Sequence, residues 1–268
     1  MSSSHPLTLT VDGAVAVLLL DRPASLNALN RELRRELRTA LEQAGADDRI
    51  RAVVIGGNGP TFCAGADLWE AGGDGGVAAE LLGEYWPCFA AIAAMDKPVI
   101  AAVGGTAAGI GMSLALHCDL LVMAEDAVLW PAFGGIGLVP DGGASYLLVR
   151  QLGARLAFQI LAEAERIGAA RALQLGLANQ VVPGATLLDA ARERARRLAS
   201  LSPVAVAGTR KLVRLAMEED FATVFRSEAQ WQARCTGSEY FQERLREFQR
   251  KRAGNRGSAR SPEDGEAR

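Results

Sequence analysis

Residues 133–143 read FGGIGLVPDGG, glycine and apolar side chains around a single carboxylate, Asp141. Two roles fit it. Pro-Asp-Gly-Gly is turn sequence, and Asp141 could cap the helix that ASYLLVRQL then starts. A carboxylate held in an apolar pocket would instead be a general base, its pKa raised toward neutrality by burial. Two further stretches, GPTFCAGADL (59–68) and VIAAVGGTAAGIG (99–111), place small-residue loops beside apolar strands. The second loop runs into a helix. Backbone N–H groups free of side chains at such a point can hold a phosphate or an oxyanion.

The nucleotide versions of that idea fail on detail. A Walker loop needs Lys and then Ser or Thr after Gly109, where Ile110 and Gly111 stand. A dinucleotide fingerprint counted from Gly109 finds Gly111 but meets Leu114 at its last glycine position. An oxyanion-binding pair of N–H groups and simple close packing both remain. The chain has 2 histidines. His5 lies in the N-terminal stretch, and His117 falls in an apolar helix where it reads as a packing residue. A Ser-His-Asp triad or histidine metal site is therefore not expected. Cys63, Cys88, Cys118 and Cys235 contain no CxxC pair, which predicts reduced thiols rather than zinc or disulfides.

The elements that must position these groups alternate in type. LTLTV and AVAVLLL flank Asp12-Gly13, a hairpin signal. NRELRRELRTALEQA puts Leu33, Leu37, Leu41 and Ala44 on one helical face behind Asn30 as N-cap. AVVIGG, KPVIAAV and DLLVMA read as buried strands. AELLGEYWPCFAAIAAM reads as a helix that Pro87 kinks or splits. This alternation predicts an α/β fold with parallel strands buried on both faces. Beyond about Val182 the pattern becomes helical. The expected division is a core at 1–195, a helical region at 196–253 and a disordered tail at 254–268. EAGGDGGVAA (70–79) reads as a second flexible segment. A net charge of −2 gives no footprint for nucleic acid. No apolar run reaches the ~18 residues of a membrane span, and the start lacks a signal peptide, so a cytoplasmic location is expected.

Several stretches together resemble one family. DRPASLNAL (21–29), GNGPTFCAGADL (57–68), KPVIAAVGGTAAGIGMSLALHCDLLVMAEDA (97–127) and FGGIGLVPDGGASYLLVRQLG (133–153) are similar, in order, to motifs of the crotonase superfamily of enoyl-CoA hydratases and isomerases. ALQLGLANQVVP (172–183) and FQRKR (248–252) fit its later motifs. The resemblance implies a spiral of βαβ units with C-terminal helices that assemble trimers or hexamers. It also implies an acyl-CoA thioester as substrate, with coenzyme A entering as part of that substrate and no permanently bound cofactor. By position, the N–H groups of Ala66 and Ile110 would form the oxyanion hole. Ala24, Ser25, Leu26, Ala64, Asp67, Leu68 and Lys251 would contact the coenzyme. Trp86, Ser113, Trp130 and Phe133 would line the acyl pocket, with Trp69 and Tyr85 as further guesses.

The chain departs from the hydratase pattern. The two glutamate positions hold Ser113 and Phe133, and neither side chain exchanges protons at neutral pH. AFGGIGLVPDGG instead resembles the subgroup of phenylacetyl-CoA-epoxide and enoyl-CoA isomerases. There Asp141 would shuttle a proton, buried among Phe133, Ile136, Leu138 and Val139. The resemblance thus predicts a double-bond or ring isomerase of lipid or aromatic acid metabolism. The alternatives are a hydratase-like lyase and a CoA-thioester binder without catalysis. Aroyl-CoA dehalogenases carry a histidine where Ala90 stands, and dihydroxynaphthoyl-CoA synthases carry GGDQ where this chain has GADL.

Overall fold

The computed structural model describes residues 5–70 and 75–258. The chain opens with the expected hairpin, β1 (Leu7–Asp12) and β2 (Val15–Leu20), turning through Gly13 at φ +60. Helix α1 (Arg31–Ala46) follows, and the Asn30 side chain accepts the Leu33 N–H as its N-cap. Strand β3 (Ala52–Gly57) comes next.

The next helical stretch is broken in the manner its proline demands. Helix α2 (Gly76–Glu80) passes through a π-helical turn (Leu81–Tyr85) into α3 (Trp86–Ala94). Pro87 has no N–H to give the helical ladder. The Trp86 N–H reaches back to Leu81, a five-residue step that resets the register. The flexible segment expected at 70–79 is helical from Gly76, and residues 71–74 lie outside the described residues.

The core then alternates: β4 (Val99–Val103), β5 (Thr106–Ala108), α4 (Ile110–His117), β6 (Leu120–Ala124) and β7 (Val128–Trp130). Helices α5 (Ala144–Leu152) and α6 (Ala154–Ala162), strand β8 (Ile167–Gly168), helix α7 (Ala169–Gln174) and strand β9 (Gln180–Val182) complete it, covered by α8 (Leu187–Ala199). The larger sheet runs β1-β2-β3-β4-β6-β9, parallel except for the β1–β2 hairpin. A small sheet, β5-β7-β8, stands beside it in sequence. Its short strands escaped the sequence reading, because two or three residues carry no measurable period.

The parallel strands are buried on both faces, as their apolar runs predict. Val15, Val17, Ala52, Val54, Ile100 and Ala102 face Ala191 and Ala195 of α8. The alternate residues, among them Leu18, Val53, Ile55 and Ala101, join the main core with α1, α3 and α4. This is why the division expected at 195/196 moves. Helix α8 belongs to the sheet, and the first compact unit ends at Val206, inside α9 (Pro203–Leu215). The second unit holds α10 (Phe221–Thr236) and α11 (Glu239–Ser258). Helix α9 meets α10 at Gly208, where a Cβ would lie 2.8 Å from the Trp231 ring. Helix α11 runs to Ser258, past the expected start of the tail at 254; residues 259–268 lie outside the described residues.

Candidate active site

The loop after β3 and the strand β5 are laced together by their backbones. Cys63 N–H donates to Thr106 O at 3.1 Å, and Ala108 N–H donates to Cys63 O at 2.9 Å. On its other side the loop is held by Ala64 N–H to Leu26 O, 3.0 Å, and Leu29 N–H to Gly65 O, 2.8 Å. Gly65 has φ +106, and a Cβ there would meet Ala108 O at 2.9 Å and stand 3.8 Å from the Ile110 nitrogen. Only glycine fits. The peptide leading to Ala66 is thereby brought against the start of α4. Ile110 is the first residue of that helix, so its N–H has no acceptor within the helix and stands at the positive end of the helix dipole. Gly109 N–H, bonded to Trp130 O at 2.9 Å, ties this corner to β7.

Asp141 is brought to the same corner from 28 residues further along than Ser113. Gly142 adopts φ +57, and a Cβ on it would lie 2.8 Å from Ile110 Cγ1, 2.8 Å from Ser113 Cβ and 3.1 Å from Phe89 Cε2. The Asp141–Gly142 peptide therefore rests directly on the first turn of α4. Ser113 Oγ donates to the Asp141 carbonyl at 2.9 Å.

The Asp141 side chain does not cap α5. The N-cap there is Gly143, with no side-chain bond to the helix start. Asp141 Oδ1 is buried and has no hydrogen-bond partner among the described residues. Burial pushes the carboxyl pKa up from 3.8 to about 6. The residues expected to bury it are partly wrong. Phe133 is buried, with its ring beside Gly109, but Ile136, Leu138 and Val139 are 59%, 51% and 79% exposed. A short 3-10 turn (Gly134–Ile136) ending at left-handed Gly137 turns that apolar segment outward.

Ala24, Ser25 and Leu26 sit in an exposed 3-10 bend whose last residue is left-handed at φ 51. Asn27, which the sequence reading passed over, holds the bend. Its side chain donates to Asn58 O at 2.9 Å and Thr61 O at 2.7 Å, and accepts the Arg22 N–H at 2.8 Å. It is fully buried, and its place inside the motif DRPASLNAL was the signal available in the sequence. Asp67 is buried and paired with Arg22 at 2.9 Å, so its carboxylate braces the loop. Leu68 is exposed, and Lys251 lies exposed on α11 in the second unit.

Among the aromatic guesses, Tyr85 is a core residue. Its hydroxyl donates to Leu29 O at 3.1 Å and accepts from Arg34 at 3.0 Å. Trp69 and Trp86 are exposed. The Trp130 ring is covered by the Arg166 guanidinium at 4.1 Å.

A carboxyl whose pKa burial raises to about 6, carried by a segment whose backbone rests on a helix N-terminus, suits proton transfer next to a carbonyl. The positions filled by Ser113 and Phe133 add no second carboxylate, and the Ser113 hydroxyl is spent on a backbone carbonyl.

Known proteins agree with this architecture. A family model described as enoyl-CoA hydratase/isomerase matches residues 10–256. A Rhodobacter capsulatus protein named "Probable enoyl-CoA hydratase" is 36% identical over 93% of this chain and 97% of its own length. The 1,2-epoxyphenylacetyl-CoA isomerase of Escherichia coli is 38% identical over 71% of this chain and 74% of its own. The crystal structure of an enoyl-CoA hydratase from a Polaromonas species superposes with a TM-score of 0.84 at 33% identity, covering 91% of this chain and 97% of that one. On these grounds, the chain belongs to the enoyl-CoA hydratase/isomerase family, the crotonase superfamily, and has its fold.

Proposed function

We propose that this protein is an acyl-CoA isomerase that moves a double bond, or rearranges a ring, with Asp141 as its proton shuttle. The observation that carries the reading is the half-buried Asp141 carboxyl, its Oδ1 buried without a partner among the described residues and its pKa lifted to about 6, on a backbone segment that rests on the first turn of α4. For a 3-enoyl-CoA, the carboxylate takes a proton from C2. The electron pair moves into the thioester as a dienolate, with charge on the oxygen. The Ala66 and Ile110 N–H groups stabilise that oxygen, a contribution worth ~3 kcal/mol per donor in comparable sites. The same carboxyl then returns the proton at C4, giving the conjugated 2-enoyl-CoA. A pKa near 6 leaves Asp141 ionised at neutral pH yet a stronger base than an ordinary aspartate.

Ala24, Ser25, Leu26, Ala64, Asp67 and Leu68 form the coenzyme side of the site; Lys251 is carried over, from its match in FQRKR, as a contact to a coenzyme phosphate. Phe133, Ser113, Trp86 and Trp130 line the acyl side. The working form is a homotrimer or a dimer of trimers. Asp141→Asn tests the reading. Isomerisation of a 3-enoyl-CoA should fall by at least ~100-fold, while calorimetric binding of the thioester persists. Unchanged turnover would remove Asp141 from the chemistry. The same preparation should hydrate crotonyl-CoA poorly; rapid hydration would favour the hydratase reading suggested by the names of several relatives.

A further inference from the structure

We propose that His117 is a positioning residue: together with Ser113 it clamps the two carbonyls of the Asp141–Gly142 segment to α4 and so fixes where the base stands. The inference rests on Asp141 being that base. His117 Nε2 lies 2.8 Å from the Gly142 carbonyl oxygen. A carbonyl oxygen only accepts, so Nε2 carries the proton. That holds for the neutral ring protonated at Nε2 and for the imidazolium alike. One helical turn earlier, Ser113 Oγ donates to the Asp141 carbonyl at 2.9 Å. Positions i and i+4 of one helix thus hold two successive carbonyls.

In an extended chain, successive carbonyls point to opposite sides. The left-handed Gly142, φ +57, is what lets both reach the same helix. The histidine ring is itself fixed. It stacks on Phe89 of α3 with centroids 4.7 Å apart and planes within 11°. On its other flank it closes on Gly143, where a Cβ would lie 3.0 Å from Nε2. Phe89 also stands against Gly142. The Asp141 carboxyl has no bond of its own at Oδ1 to set its place. Its aim is therefore inherited from the backbone, which Ser113 and His117 hold to α4 while the Ala144 N–H donates to the same Asp141 carbonyl at 3.1 Å from α5.

The experiment compares His117→Phe, which keeps a ring for Phe89 and deletes the donor, with His117→Gln, whose amide nitrogen replaces Nε2. Each is assayed on a 3-enoyl-CoA for kcat and KM, with a melting curve on the same sample. His117→Phe should lower kcat at least about tenfold, since small misplacements of a catalytic group are costly, while KM stays within about twofold. His117→Gln should recover most of the loss. In an Asp141→Asn background, His117→Phe should change the residual rate no further. If the phenylalanine variant does not fold, Ser113→Ala tests the same clamp, with the same expected loss in kcat.

Wild-type kcat in folded His117→Phe or, where that does not fold, in Ser113→Ala would overturn the clamp. So would a glutamine variant as impaired as the phenylalanine one. Full activity in Asp141→Asn alone would instead overturn the assignment of the base. Loss in Asp141→Asn with no loss in His117→Phe would leave the base standing and remove only the clamp.

Discussion

Asp141, the proposed base, carries a stability cost. Its pKa rises from 3.8 in the open chain to about 6 in the fold, because burial disfavours the charged form. Between those values the folded state holds the proton more tightly than the unfolded one. Stability therefore falls as pH rises through this window, and the penalty is complete above about pH 6. A shift of this size corresponds to at most ~3 kcal/mol, and partial exposure of the residue reduces it to ~1–2 kcal/mol. Asp141→Asn carries no such charge. Its melting temperature should exceed that of the parent by ~2–6 °C at pH 8, with the gap closing toward pH 4. Calorimetric scans across pH would show this, and equal melting at both ends would mean the carboxylate is not desolvated. The parent's kcat/KM should rise with pH through about 6 and then level off, as expected of a base that must be ionised.

At the scale of elements, the proposed base needs an oxyanion hole to work against. The 63–66 loop and β5 approach so closely that Gly65 admits no Cβ without striking Ala108 O. Gly65→Ala should push the loop from β5 and move the Ala66 N–H. A loss of turnover of about 100-fold is expected, the scale for losing one oxyanion donor, with Asp141 intact. A parent-like kcat would show that the Ala66 N–H plays no part.

The α2–α3 stretch is held differently, by a buried charge. Arg34 on α1 is 3% exposed and pairs with Glu80 at 3.0 Å and with Glu84. It also donates to Leu29 O at 2.7 Å. Arg34→Ala would remove the buried partner of Glu80 and leave Glu84 its more exposed pair with Arg31 at 3.1 Å, and should cost ~3 kcal/mol in urea denaturation. A change below 1 kcal/mol would mean that water already screens the cluster.

At the scale of the whole molecule, the second unit shows what a monomer would leave in water. Phe221, Phe225 and Phe248 are 82%, 60% and 63% exposed, and the Phe221 and Phe225 rings lie 5.9 Å apart on one face of α10. Exposed aromatic clusters of this kind mark contact surfaces. Light scattering at micromolar concentration should give a mass of three or six chains of 28.3 kDa, and Phe221→Asp with Phe225→Asp should shift it toward one. A monomeric parent would refute the assembly. Among the described residues no helix is long and apolar enough to cross a membrane.

Much of this molecule can be read from its chain. Period-2 and period-3.6 apolar patterns report which face of an element is buried, so the hairpin, α1 with its Asn30 cap, the parallel strands and the C-terminal helices were legible. Motifs of contiguous residues, CAGAD and AGIG, marked the two small-residue loops. Whether Asp141 caps α5 was not legible. It depends on which residue stands at the N-cap, and the left-handed turn at Gly142–Gly143 gives that place to Gly143, with no side-chain bond to the helix start. Nor could the sequence tell that Ile136, Leu138 and Val139 face outward, that Tyr85 is spent on Leu29 and Arg34, or that His117 holds a carbonyl 25 positions away. A periodic pattern states that a side chain is buried. Which atoms it meets is set by how distant segments pack, and that only the folded chain decides.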